Sequence, residues 1–190
     1  MRNATGSYFL TVKDFGAGVG EFGHLLLAYD RRHRYTGFDG AGNVEEVTGG
    51  FVRWFDLSQP LLLPAADRAA DWVISLEVGE HIPDPFEPMY VRNLHASNCR
   101  GVVLSWGQYG FRGHGDSTYH SPAYLIELFE SLEYVYMKSL TDETKALKAG
   151  ADAKTRHIWF DRNLYIFRRR QVVWQPGCTP GVQQSAFSLS

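Results

Sequence analysis

No run of apolar residues comes near the roughly 18 needed to span a bilayer, so the sequence offers no membrane-crossing helix. Net charge is only −2, with 19 Lys and Arg against 21 Asp and Glu. That balance gives no global pull toward nucleic acid or an anionic membrane surface. Two cysteines, Cys99 and Cys178, lie far apart and suggest neither a disulfide framework nor a zinc site. No signal-peptide pattern precedes the first apolar run, and the expectation is a protein of a reducing cytoplasmic compartment. There is no internal repeat and no low-complexity segment. What remains is a length of 190 residues, enough for one α/β domain with a sizeable core. We assign residues 1–174 to that single domain and 175–190, with its prolines, glycines and serines, to a loose tail.

The richest stretch is Val12–Gly23. Phe9, Leu10 and Val12 supply an apolar run, and Phe22, Leu25, Leu26 and Tyr29 follow at helical spacing. Between them Gly16, Ala17, Gly18 and Gly20 form a turn in which small residues let backbone approach a ligand. Asp14, at the end of the strand, puts a carboxylate inside that cleft. It would repel a pyrophosphate and hold the ammonium of an amino-acid moiety. A second strand, Tyr35–Asp39, ends in another carboxylate, placed to accept hydrogen bonds from ribose hydroxyls. Phe51–Leu57 reads as a third strand ending in Asp56, and Gly40–Gly50 is too short for a full crossover helix.

Asp71–Ser75 is a continuous apolar run bounded by an acid and a proline-containing turn, the pattern of a central parallel strand. A helix follows over 85–98, with Phe86, Met89, Tyr90 and Leu94 on its apolar side. Gly101–Trp106 makes a fifth strand. It opens into a polar, aromatic, glycine-rich loop, 107–120, on the side where open α/β sheets bind ligands. Ser121 caps a helix with Pro122 in its first turn. Tyr134–Met137 and Asn163–Arg168 are the last strands, separated by a short helix over 142–149.

The D-x-G-x-G-x-G turn at Asp14 resembles motif I of the class I S-adenosylmethionine-dependent methyltransferases. Asp71-x-Val-x-Ser-x-Glu77-Val-x-Glu80-His81-Ile-Pro resembles motif IV of those that methylate small molecules. Over residues 9–169 the resemblance implies a Rossmann-like α/β fold. Its seven-stranded sheet would run 3-2-1-4-5-7-6, with an antiparallel last strand and helices on both faces. It implies S-adenosylmethionine as cofactor: Asp14, Gly16, Ala17, Gly18 and Gly20 at the methionine, Asp39 at the ribose, Asp56 and Leu57 at the adenine, and Glu77 facing the methionine end and the acceptor. The activity implied is methyl transfer to an oxygen or nitrogen of a small-molecule acceptor.

Imidazoles titrate near neutrality, so His81, His114 and His120 are the candidate bases. Trp106, Gln108, Tyr109 and Arg112, which follow the fifth strand, are expected to line the acceptor pocket. E-x-x-E-H also resembles the divalent-metal site of small-RNA 2′-O-methyltransferases and of some ubiquinone-pathway O-methyltransferases. There Glu77, Glu80 and His81, with His114 or His120 as the distant ligand, would hold Mg²⁺, Mn²⁺ or Zn²⁺, and the acceptor would be an RNA 2′-hydroxyl or a catechol-like hydroxyl. Two other readings stay open. One is a non-catalytic module that kept the fold. The other is a nicotinamide-dependent oxidoreductase, disfavoured by Asp14 and by the second motif.

Overall fold

Strand β1, Thr11–Phe15, is buried along its whole length although three of its five residues are polar. Each polar side chain there has a partner, which removes the penalty of leaving a polar group dry. Thr11 Oγ1 donates to Asp71 at 3.1 Å, and Lys13 Nζ donates to the carbonyls of Asp67 and Arg68 at 2.5 and 2.6 Å. Asp14 accepts from the Tyr35 hydroxyl at 2.9 Å. The computed structural model describes residues 9–64, 67–107, 118–149, 163–173 and 178.

Around β1 the chain lays down α1 (Glu21–Tyr29), β2 (Arg34–Asp39), a one-turn α2 (Val44–Val47), β3 (Val52–Trp54) and β4 (Ala70–Ser75). Then come α3 (Glu87–Ala96), β5 (Asn98–Ser105), α4 (Pro122–Ser131), β6 (Tyr134–Tyr136), α5 (Lys138–Ala149) and β7 (Leu164–Arg169). The seven strands form one sheet in the order β3-β2-β1-β4-β5-β7-β6. Strands β1 to β5 pair in parallel, with Asp14 level with Gly37 on one side and Ile74 on the other. Strand β7 runs antiparallel to both β5 and β6. The expected Rossmann-like order is therefore the observed one. Parallel pairing aligns the carboxyl ends of the first five strands along one edge, where such sheets bind ligands.

Elements differ from their sequence patterns in instructive ways. The third strand is three residues, not seven, and Asp56 and Leu57 lie beyond it. The helix expected from Pro85 begins with a 3₁₀ turn at Asp84–Phe86, leaving Phe86 exposed while Tyr90, Val91 and Leu94 enter the core. On α1, Phe22, Leu25 and Tyr29 are 37%, 68% and 89% exposed. This helix meets the sheet through Gly23, where a Cβ would come within 2.3 Å of the Tyr35 ring. Glycine there sets the rotation of the helix, and its periodic apolar residues turn outward. The Ser121 cap is observed, accepting from the Tyr124 amide at 3.2 Å.

The two cysteines, far apart in the sequence, meet in the fold. Cys99, buried at the start of β5, lies against Cys178 across 79 residues, their Cα atoms 6.2 Å apart. That spacing lies inside the usual disulfide range. Among the described residues no helix is long and apolar enough to cross a membrane.

Candidate active site

The glycine turn is folded against β2 by its own backbone. The amides of Gly16 and Ala17 both donate to the Phe38 carbonyl, at 2.8 and 3.0 Å. Gly16, Gly18 and Gly20 all adopt the left-handed conformation, with φ of 78°, 55° and 83°, which favours glycine at each. Their surroundings differ. A Cβ on Gly16 would strike Val78 at 2.2 Å, and one on Gly20 would strike the Phe51 ring at 2.7 Å. At Gly18 no atom lies within 4 Å of the Cβ position. The turn is packed at both ends and open in the middle.

Asp39 stands beside that opening. Its Oδ2 accepts from the Gly18 amide at 2.8 Å and its Oδ1 from the Ala41 amide at 2.9 Å. Each carboxylate oxygen retains further acceptor capacity. Asp14 is 2% exposed. Burial pushes its carboxyl up to about 6, the Tyr35 hydrogen bond opposing this and the Asp39 charge adding to it. Asp56 is tied into its own turn, accepting from the amide and hydroxyl of Ser58 at 2.9 and 2.7 Å. Leu57 is buried, and its carbonyl accepts from Asn93 Nδ2 of α3 at 3.0 Å.

The turns that follow β4 and β5 are fastened to each other. Glu77 has φ of 56°, uncommon for a residue with a side chain. Its amide donates to Ser105 Oγ at 2.8 Å. Its carboxylate Oε1 is buried and takes no hydrogen bond among the described residues. Gly79 sits under the Trp106 ring, too close for any side chain. The Thr118 amide donates to the Glu80 carbonyl at 3.1 Å, and its hydroxyl to Ile82 O and Asp84 Oδ1 at 2.7 and 2.6 Å.

His120 lies just outside this seam. Its Nε2 donates to Glu87 Oε2 at 2.6 Å, and the Tyr124 hydroxyl donates to Glu87 Oε1 at 2.6 Å. The imidazole stacks on the Tyr124 ring at 3.8 Å, with Trp106 tilted against it at 5.2 Å.

Several expectations are altered by these placements. Trp106 is fully buried, its Nε1 donating to the Thr118 carbonyl at 2.9 Å, so it belongs to the core instead of lining an acceptor pocket. Gln108, Tyr109, Arg112 and His114 lie outside the described residues. Within the 3₁₀ turn Gly79–His81, Glu80 points inward at 3% exposure whereas His81 is exposed. Among the described residues no three His, Cys, Asp or Glu side chains converge as metal ligands, so Glu77, Glu80 and His81 are not gathered into a centre. Tyr35, Glu87, Ser105 and Tyr124 were not among the expected site residues. Glu87 and His120 are 33 positions apart on different elements, and no local pattern links them.

No protein-family model matches the chain. No curated protein matches it at the level of sequence. Solved structures do. Magnesium protoporphyrin IX methyltransferase from Synechocystis, with bound S-adenosylhomocysteine, aligns over 85% of this chain and 74% of its own, at 18% identity and a TM-score of 0.56. The class I methyltransferase fold is therefore the fold of this chain. The 1,6-didemethyltoxoflavin N1-methyltransferase of Burkholderia thailandensis, with its substrate and S-adenosylhomocysteine, aligns over 86% of this chain and 72% of its own, at 17% identity and a TM-score of 0.53. The small RNA methyltransferase HEN1 shares the methyltransferase fold over 90% of this chain at 15% identity and a TM-score of 0.60. There this chain spans only 24% of the other protein.

Proposed function

We propose that this chain is an S-adenosylmethionine-dependent methyltransferase acting on an oxygen or nitrogen of a small-molecule acceptor. The observation that carries the reading is the open turn at Gly18 with the Asp39 carboxylate beside it, on the carboxyl edge of a class I methyltransferase sheet. The cofactor supplies an electrophilic methyl group on a sulfonium. The residues present fit it. Gly18 leaves space where a side chain would block approach. Asp39 offers acceptor capacity for ribose hydroxyls, and Asp14 offers a carboxylate to an ammonium. Glu77 brings a buried carboxylate oxygen that lacks a hydrogen bond among the described residues, at the point where the β4 turn meets the edge. Such an oxygen is costly to leave unmade, and a donor on a ligand would relieve it. The neutral charge balance favours a small acceptor over a polyanion.

The chain's task is then to align donor and acceptor and to receive the acceptor's proton. Calorimetry with S-adenosylhomocysteine against NAD tests the cofactor: micromolar binding of the first and none of the second is expected. Release of S-adenosylhomocysteine in the presence of an acceptor separates an enzyme from a binding module. Preference for NAD would overturn the reading.

A further inference from the structure

Glu87 is the first residue of α3 and is 8% exposed, yet both of its carboxylate oxygens point across to the segment that follows β5. One accepts from His120 and the other from Tyr124. Burial and the neighbouring Glu87 push the Tyr124 hydroxyl up to about 12, so it remains a donor at neutral pH. Tyr124 thereby fixes the carboxylate, and the carboxylate fixes the imidazole. With Nε2 spent on Glu87, the neutral ring carries its proton there and leaves a lone pair on Nδ1. Nδ1 takes no hydrogen bond among the described residues, and the His120 side chain is 18% exposed. The ring is also held in plane by Tyr124 and Trp106. His120 stands beyond the carboxyl ends of β4 and β5, because its amide reaches the Gly107 carbonyl and Thr118 is bonded to the β4 turn.

We propose that Glu87 is the positioning residue for His120, that His120 Nδ1 takes the acceptor's proton, and that the acceptor group is therefore a hydroxyl. The proposal rests on the methyltransferase reading and narrows it. A neutral amine is already nucleophilic and can lose its proton after attack. A hydroxyl is a poor nucleophile until its proton leaves, and a carboxylate-buttressed imidazole is the arrangement that removes it. The balance closes. The O–H proton passes to Nδ1 and the oxygen's electron pair forms the O–C bond. The pair of the broken C–S bond stays on sulfur, and Glu87 stabilises the imidazolium that results.

The test uses the whole chain, ¹⁵N-histidine NMR, and catechol and simple phenols set against the matching anilines. Wild-type His120 is expected as the Nε2–H tautomer, and Glu87→Gln as a mixture. Phenols should be methylated, and aniline turnover, which needs no base, should be unchanged by Glu87→Gln or His120→Gln. E87Q should lower kcat on phenols by about 10- to 100-fold with the phenol KM unchanged, and His120→Gln by at least as much. The double variant should be no slower than H120Q alone, because residues acting as a unit are non-additive. S-Adenosylhomocysteine affinity should stay within about twofold of wild type in all of them. An unchanged tautomer in E87Q, additive losses in the double variant, or equal losses on anilines would overturn the proposal. Should E87Q unfold, Glu87→Asp, whose shorter side chain cannot reach His120, takes its place in the same tautomer and phenol-turnover measurements. Wild type that binds S-adenosylhomocysteine but methylates no phenol ends this proposal alone. Wild type that binds none ends the methyltransferase reading with it.

Discussion

The amide of Gly18 donates to the Asp39 carboxylate at 2.8 Å, which makes the glycine turn after β1 and the tip of β2 a single unit. The turn's shape and the acid's position are thus set by the same contact. A ligand entering above Gly18 meets both together.

Gly18→Val places a branched side chain in the open space and forces it into a left-handed backbone. The strain costs about 1–3 kcal/mol of stability. The larger consequence is for binding: S-adenosylhomocysteine affinity in calorimetry should fall below detection while circular dichroism still shows a folded protein. Gly18→Ala, which carries part of the strain and little of the bulk, should bind measurably. Unchanged affinity in the valine variant would remove the turn from the site.

Asp39→Ala removes two backbone contacts and the proposed ribose acceptor at once. Weakening of S-adenosylhomocysteine binding by about 1–3 kcal/mol is expected. Asp39→Asn separates the two roles, since the amide oxygen can keep one backbone contact but carries no charge. A binding loss in the asparagine variant with little change in melting temperature would assign the charge to the ligand.

Asp14 gives a pH dependence whose sign follows from its buried carboxyl. Its folded-state value, about 6, stands above the ordinary carboxylate value near 4. Between these values the folded protein holds more protons than the unfolded chain, so the contribution to stability is greatest at low pH. It falls as pH rises through about 6 and is level above that. The drop is on the order of 3 kcal/mol. Urea titrations from pH 4.5 to 7.5 should show this fall in wild type and a flatter profile in Asp14→Asn. Binding runs the other way: an ammonium needs the ionised carboxylate, so S-adenosylhomocysteine affinity should rise through the same window.

The Cys99–Cys178 pair predicts the behaviour of the thiols. Protein purified without reductant should take up no alkylating agent at either cysteine, and after reduction it should take up two equivalents by intact mass. Peptide mapping that finds both thiols free in the unreduced protein would refute the pairing.

What could be read from the sequence was what is written locally. Asp14, the glycines and Asp39 fall within one strand–turn–helix–strand unit, and their placement together follows from spacing along the chain. The seven-strand order came from resemblance to a family, and the pairing registers agree with it. The contacts that were missed join distant segments. Glu87 meets His120 across two elements, Cys99 meets Cys178 across 79 residues, and Glu77 meets Ser105 across the seam between two strands. Trp106 and the α1 residues were misjudged for another reason. Residue type alone does not say which way a side chain faces when one glycine, Gly79 or Gly23, sets how closely two elements approach.

Glu77 holds a left-handed backbone that glycine would occupy without strain. Keeping a carboxylate there costs about 1–3 kcal/mol. Glu77→Gly should therefore raise the melting temperature. On the proposed reading the same change should weaken S-adenosylhomocysteine binding, because the buried carboxylate oxygen is lost. A glycine variant that melts higher yet binds as tightly as wild type would take Glu77 out of the proposed site.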